Sequence, residues 1–122
     1  MLKQLVKRIW VRTKWSWEGV VHVWQTEPSL KQWIIAYVIS AIAAILLPID
    51  PGERAMIVGG GLFVLAFECL NTAIERAIDY ISLERHPLAK QAKDTASAAV
   101  ALTSLAIGVV WLMAFIGLYA RG

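Results

Sequence analysis

Between Asp94 and Arg121 the chain carries no charged side chain, and most of that run is Ala, Val, Leu, Ile, Phe or Trp. A run of this length and polarity can cross the hydrocarbon layer of a bilayer as a helix, which takes about 20 apolar residues. Inside lipid only a helix or a closed barrel satisfies its own backbone hydrogen bonds, and nothing here alternates with a strand's period. Two further apolar stretches, about 33–49 and 55–81, extend the same pattern. The whole chain is 122 residues, enough for a single domain, and 58% hydrophobic. A soluble protein this small has too little interior to hide so much apolar surface, so lipid or a partner must cover the rest.

The remaining segments fit between these spans. In residues 1–27, Leu2, Leu5, Ile9 and Trp10 recur at helical steps, and Trp17, Val21 and Trp24 continue the stripe. That periodicity predicts an amphipathic helix, with Gly19 as a point where it could bend. Tryptophan interleaved with Lys and Arg suits the headgroup layer, so the helix is expected to lie on the membrane surface. Pro28 forces a corner after Glu27. Pro48, Asp50, Pro51 and Gly52 make a turn, and a polar connection over 82–94 is expected to lead into a third span at 95–119. Gly59-Gly60-Gly61 is followed by Leu62-Phe63-Val64, so it is no phosphate loop, and close helix packing is its expected role. The expected fold is an all-α membrane protein: a surface helix and three transmembrane helices.

The net charge is +3, and its distribution orients the chain. With the N-terminus in the cytoplasm, ten of the twelve Lys and Arg residues fall on the cytoplasmic side, leaving Arg54 and Arg121 opposite. The C-terminus is then on the far side. Four tryptophans among the basic residues of the first segment argue against nucleic acid as the partner. Cys69 is the only cysteine, which excludes a disulfide framework or a CxxC metal site. No continuous apolar stretch early in the chain reads as a cleavable signal peptide.

The second span is uncharged in its first half and carries Glu68, Asn71, Glu75, Arg76 and Asp79 in its second. At about 100° per residue, Asn71, Glu75 and Asp79 lie roughly 300°, 340° and 20° around the helix from Glu68. The four share one face, a polar stripe descending from inside the bilayer to its surface. Polar residues on such a face can be interhelical glue. Three carboxylates repel one another and ask for a cation, which favours a functional reading. A divalent ion with oxygen ligands fits, Mg²⁺ where phosphates are present. Glu68, the deepest, is expected to be able to act as a base. Lys90, Lys93 and Asp94 form a second cluster near the expected exit of Asp79. Lys93 there can hold a phosphate or simply reach from the membrane edge to water.

The run Glu68-Cys69-Leu70-Asn71-Thr72-Ala73-Ile74-Glu75, then Asp79, then Glu84 to His86 and Ala92-Lys93-Asp94-Thr95-Ala96-Ser97, resembles the prokaryotic diacylglycerol kinase family. The similarity covers nearly the whole chain, including Trp15-Ser16-Trp17 and Glu27. It implies a homotrimer with sites shared between protomers, in a bacterial inner membrane, transferring the γ-phosphate of ATP to a lipid hydroxyl. It implies Glu68 as catalytic base and Glu27 and Glu75 as holders of Mg²⁺ on the ATP phosphates. By the same resemblance Arg8, Trp15, Glu27, Glu75, Asp79, Glu84, His86, Lys93 and Asp94 contact nucleotide. Arg8, Ser16, Trp17, Glu68, Asn71 and Ser97 contact the lipid substrate.

Two segments depart from the pattern. Trp15 stands where enterobacterial members usually have Tyr, and Leu30-Lys31-Gln32-Trp33 replaces Phe-Arg-Gln-Glu. The loop His86-Pro87-Leu88-Ala89-Lys90 also resembles relatives that phosphorylate undecaprenol. Three functions therefore stand at this point: a diacylglycerol kinase, an undecaprenol kinase with the same chemistry, and a non-enzymatic membrane subunit that uses the stripe to bind cations.

Overall fold

The computed structural model describes all 122 residues as four helices and no strand: α1 Leu2–Thr26, α2 Pro28–Leu46, α3 Pro51–Ile81 and α4 Pro87–Arg121. Helices α2, α3 and α4 are each long and apolar enough to cross a membrane. α3 packs most extensively on α4, and α2 lies against α3. α1 touches only α2 and α3, and it runs unbroken through Gly19.

Every helix after the first begins on a proline: Pro28, Pro51 and Pro87 each occupy the first helical position. Proline's fixed φ suits that position, and its missing N–H would have no partner there anyway. The helices therefore start earlier than the apolar stretches that revealed them. α2 begins at Pro28 where the apolar run begins at Trp33, and α3 at Pro51 where it begins near Ala55. The connection expected over 82–94 shrinks to Ser82–His86, because His86 caps α4, its Nδ1 accepting the Leu88 N–H at 3.1 Å. The corner between α1 and α2 is a single extended residue, Glu27, at φ −118° and ψ 107°.

One end of the bundle is held by arginines. Arg54 Nε donates to the Ala44 carbonyl at 2.7 Å and its Nη2 to the Leu47 carbonyl at 3.2 Å, which satisfies the open C-terminus of α2. Arg121 Nη1 reaches Asp50 Oδ1 at 2.9 Å. Beneath them Ala44, Ile49, Ile57 and Ala114 form the small buried core. Trp111 Nε1 donates to Ser40 Oγ at 2.8 Å, linking α4 to α2 midway along the bundle. The expected close packing of the glycine run holds at two of its three positions. A Cβ on Gly61 would enter the Tyr37 ring and one on Gly60 would meet Ile107, while Gly59 faces open space. Ile39, Phe63, Leu102, Leu105 and Phe115 are all more than half exposed, an exterior suited to lipid rather than water.

Candidate active site

The polar stripe of α3 starts at Glu68. Helix α3 carries it inward, and it is 4% exposed. Ser29, in the first turn of α2, donates its hydroxyl to Glu68 Oε1. A buried carboxylate needs such a partner, since an unpaired charge in an apolar surrounding is costly. The contact also fixes depth: Glu68 lies level with the start of α2, at the rim of the apolar layer. One turn on, Asn71 Nδ2 donates to Glu75 Oε1 at 3.3 Å. Asn71 Oδ1 is buried with no hydrogen-bond partner, the only buried side-chain polar atom so placed. Buried polar atoms in folded proteins are normally paired, so this one stands out.

Further along, Asp79 meets α4. Lys93 Nζ donates to Asp79 Oδ1 at 2.6 Å, the expected meeting of these two residues, and Lys90 pairs with Asp94. The Ser82–His86 connection arches over them. Together they enclose an open basin of about 670 Å³ lined by Asp79, Glu84, Arg85, His86, Lys93 and Asp94, among others. Five of those six are residues that the family resemblance assigns to nucleotide. The basin is mixed in charge, with two carboxylates already paired to lysines, so an incoming polyphosphate would exchange one set of ion pairs for another.

Glu27 sits apart from this basin, at the α1–α2 corner. Its Oε1 accepts from Arg76 Nη2 at 2.6 Å. Glu27 and Glu75 offer hard carboxylate oxygens, the donor type for Mg²⁺. Within one chain no group of three His, Cys, Asp or Glu side chains converges on a point. That is compatible with Mg²⁺, which typically takes one or two carboxylates and completes its shell with substrate phosphates and water.

The other expected site residues lie elsewhere in the single chain. Arg8, Trp15, Ser16 and Trp17 are exposed on α1, which makes no contact with α4. Ser16 Oγ bonds only to the Arg12 carbonyl, at 3.0 Å, and Ser97 is exposed on α4. Two site neighbours escaped the sequence. Ser29 looks like part of a break after Pro28, and no periodicity marks a hydroxyl in a helix's first turn. Arg76 is one residue, or about 100°, away from the stripe, and nothing local shows that it faces the end of α1.

The class of protein is thus set: a multi-pass, all-helical membrane protein with a buried carboxylate at the rim of its apolar layer and an ionic basin beside it. Comparison with known sequences narrows this. Residues 14–115 match the model of the family described as prokaryotic diacylglycerol kinase. A diacylglycerol kinase of Pseudomonas aeruginosa is 38% identical over 112 residues, covering 92% of this chain and 91% of the relative. The Escherichia coli enzyme of that name is 32% identical over 80% of each chain, and one from Helicobacter pylori is 30% identical over 94% of this chain and 90% of its own. The chain belongs to the prokaryotic diacylglycerol kinase family, and it is an enzyme of the phosphotransferase class.

Proposed function

We propose that this protein is an ATP-dependent diacylglycerol kinase, converting diacylglycerol and ATP to phosphatidic acid and ADP. The observation that carries the reading is Glu68: a buried carboxylate, level with the start of α2, on the face of α3 that leads to the ionic basin. The names of the relatives favour diacylglycerol over undecaprenol as acceptor. A passive cation-binding subunit would have no use for the basin's lysines.

In the proposed mechanism the lipid hydroxyl reaches Glu68 from within the leaflet. Its oxygen forms the new bond to the γ-phosphorus while the bond from that phosphorus to the β,γ-bridging oxygen breaks and ADP leaves. The hydroxyl proton passes to Glu68, a general-base role worth about 10²- to 10⁴-fold. Lys93 and His86 hold the nucleotide from the basin, with Asp79, Glu84 and Asp94 around it. Glu27 and Glu75 present carboxylates to Mg²⁺, which when bound supplies charge neutralisation on the phosphates. Asn71 and Ser97 would line the lipid's approach. Phosphoryl transfer asks mainly for alignment and neutralisation, which this set of base, lysine and carboxylates would supply.

The protein is further proposed to act as a homotrimer in the bacterial inner membrane, with the N-terminus and the basin cytoplasmic and the C-terminus on the far side. In that assembly α1 lies on the membrane surface, and Arg8, Trp15, Ser16 and Trp17 serve a neighbouring protomer's site. Two features support this. α1 is barely engaged by its own chain, and Asn71 Oδ1 is left without a partner in it. The test is direct: purified protein in mixed micelles with Mg-ATP and either diacylglycerol or undecaprenol. Phosphatidic acid formed much faster than undecaprenyl phosphate is the expected result. The reverse order would overturn the acceptor assignment, and no lipid product from either would overturn the kinase reading.

A further inference from the structure

Arg76 is a charged residue beside Glu75 that the mechanism does not use. Its guanidinium spans the joint between three helices. Nη2 donates to Glu27 Oε1 at 2.6 Å and to Thr26 Oγ1 at 3.0 Å, and Nη1 lies 3.3 Å from His22 Nε2. Arginine can only donate, so the contact with His22 is a hydrogen bond in the tautomer whose Nε2 is bare. Thr26 gives its own proton to the His22 carbonyl at 2.8 Å, which leaves an oxygen lone pair for Arg76. All three partners belong to the C-terminal end of α1 or to the corner residue. Arg76 also stands next in sequence to Glu75, the other carboxylate assigned to Mg²⁺.

We propose that Arg76 is a positioning residue for nucleotide binding: it fastens the α1–α2 corner to α3 and holds Glu27 by one carboxylate oxygen, leaving the other free for the metal on the phosphates. The inference rests on the reading of Glu27 as a metal ligand. Without the tie, Glu27 is the single extended residue between two helices, free to turn with them, and α1 keeps only slight contact with its own chain. A lysine could keep the charge but not the fork, because one ammonium on a flexible stem does not present two fixed N–H edges to three acceptors.

The test is equilibrium binding of Mg²⁺ with a non-hydrolysable ATP analogue to the full-length protein in detergent micelles. Arg76→Ala is expected to weaken binding about tenfold, the scale of one charge-assisted hydrogen bond in a partly exposed site. Arg76→Lys is expected to recover less than half of that loss on a logarithmic scale. Glu27→Gln should weaken binding too, and adding Arg76→Ala to it should cost little more, since the arginine acts through that carboxylate. Full recovery by Arg76→Lys would reduce the role to charge and overturn the proposal, as would additive losses in the double variant. If Glu27→Gln weakens binding and Arg76→Ala does not, the inference about Arg76 falls alone. Unchanged binding by Glu27→Gln would bring down the reading of Glu27 and this inference with it. Arg76 is exposed on α3, so loss of the fold is not expected to cloud the comparison.

Discussion

Glu68 and its neighbours divide the proposed labour by depth along α3, and each part can be removed separately. Glu68→Gln keeps the size and the hydrogen bond from Ser29 but cannot take a proton. Turnover is expected to fall about 10²-fold or more, with nucleotide binding nearly unchanged. Normal turnover in the folded variant would remove the base role, and early loss of nucleotide binding would move Glu68 into the metal site. Glu75→Gln should instead raise the Mg²⁺ concentration needed for activity and lower the maximum rate; near wild-type rates at saturating Mg²⁺ would contradict the metal assignment. Glu68 was legible in the sequence because a carboxylate after a long apolar run has few bland explanations. Ser29 and Arg76 were not, because their partners lie on other helices and neither a hydroxyl nor a guanidinium leaves a periodic trace. Lys93 lies between these cases: its spacing allowed two readings, and its contact with Asp79 shows it turned toward the basin.

At the scale of helices, the hydropathy pattern revealed that the three long helices exist but not where they start. Pro28, Pro51 and Pro87 read as breaks in the sequence, and in the structure they open helices. The consequence is largest for α4, whose 35 residues extend about 52 Å, well beyond an apolar layer of about 30 Å. Its first two turns, with Lys90 and Lys93, build a wall of the basin instead of a flexible loop. The glycine run shows a finer distinction. Gly61→Ala would push a methyl into the Tyr37 ring, whereas Gly60→Ala clashes only with the terminal Cδ1 of Ile107, which can swing aside. Gly61→Ala is expected to lower stability by about 1–3 kcal/mol and Gly60→Ala by less, read from thermal unfolding in detergent. An equal effect at both positions would mean that Tyr37 yields as easily as Ile107.

The molecule as a whole exposes a largely apolar exterior. Its apolar exterior was evident from composition, since so short a chain cannot bury that much. Composition does not say what covers that exterior, because this depends on which exposed faces match a neighbour. The proposed trimer with shared sites makes a specific prediction. Glu68→Ala and Lys93→Ala protomers, each inactive, should regain part of the wild-type activity when mixed and allowed to exchange. Demonstrably mixed oligomers with no recovery would place every site within one protomer. Arg8, Trp15 and Ser97, scattered in the single chain, are the residues whose proposed roles stand or fall with that result.

The hydroxyl contact between Ser29 and Glu68 has a kinetic consequence. It pins the proposed base to the rim of one leaflet, so acceptor molecules can arrive only by lateral diffusion within that monolayer. The rate should then follow the acceptor's mole fraction in the film and not its amount per volume. Adding inert detergent at constant total diacylglycerol would slow the enzyme by dilution in two dimensions alone, while adding buffer would leave it unchanged. In sealed vesicles, acceptor confined to the opposite leaflet would be consumed only as fast as it crosses over.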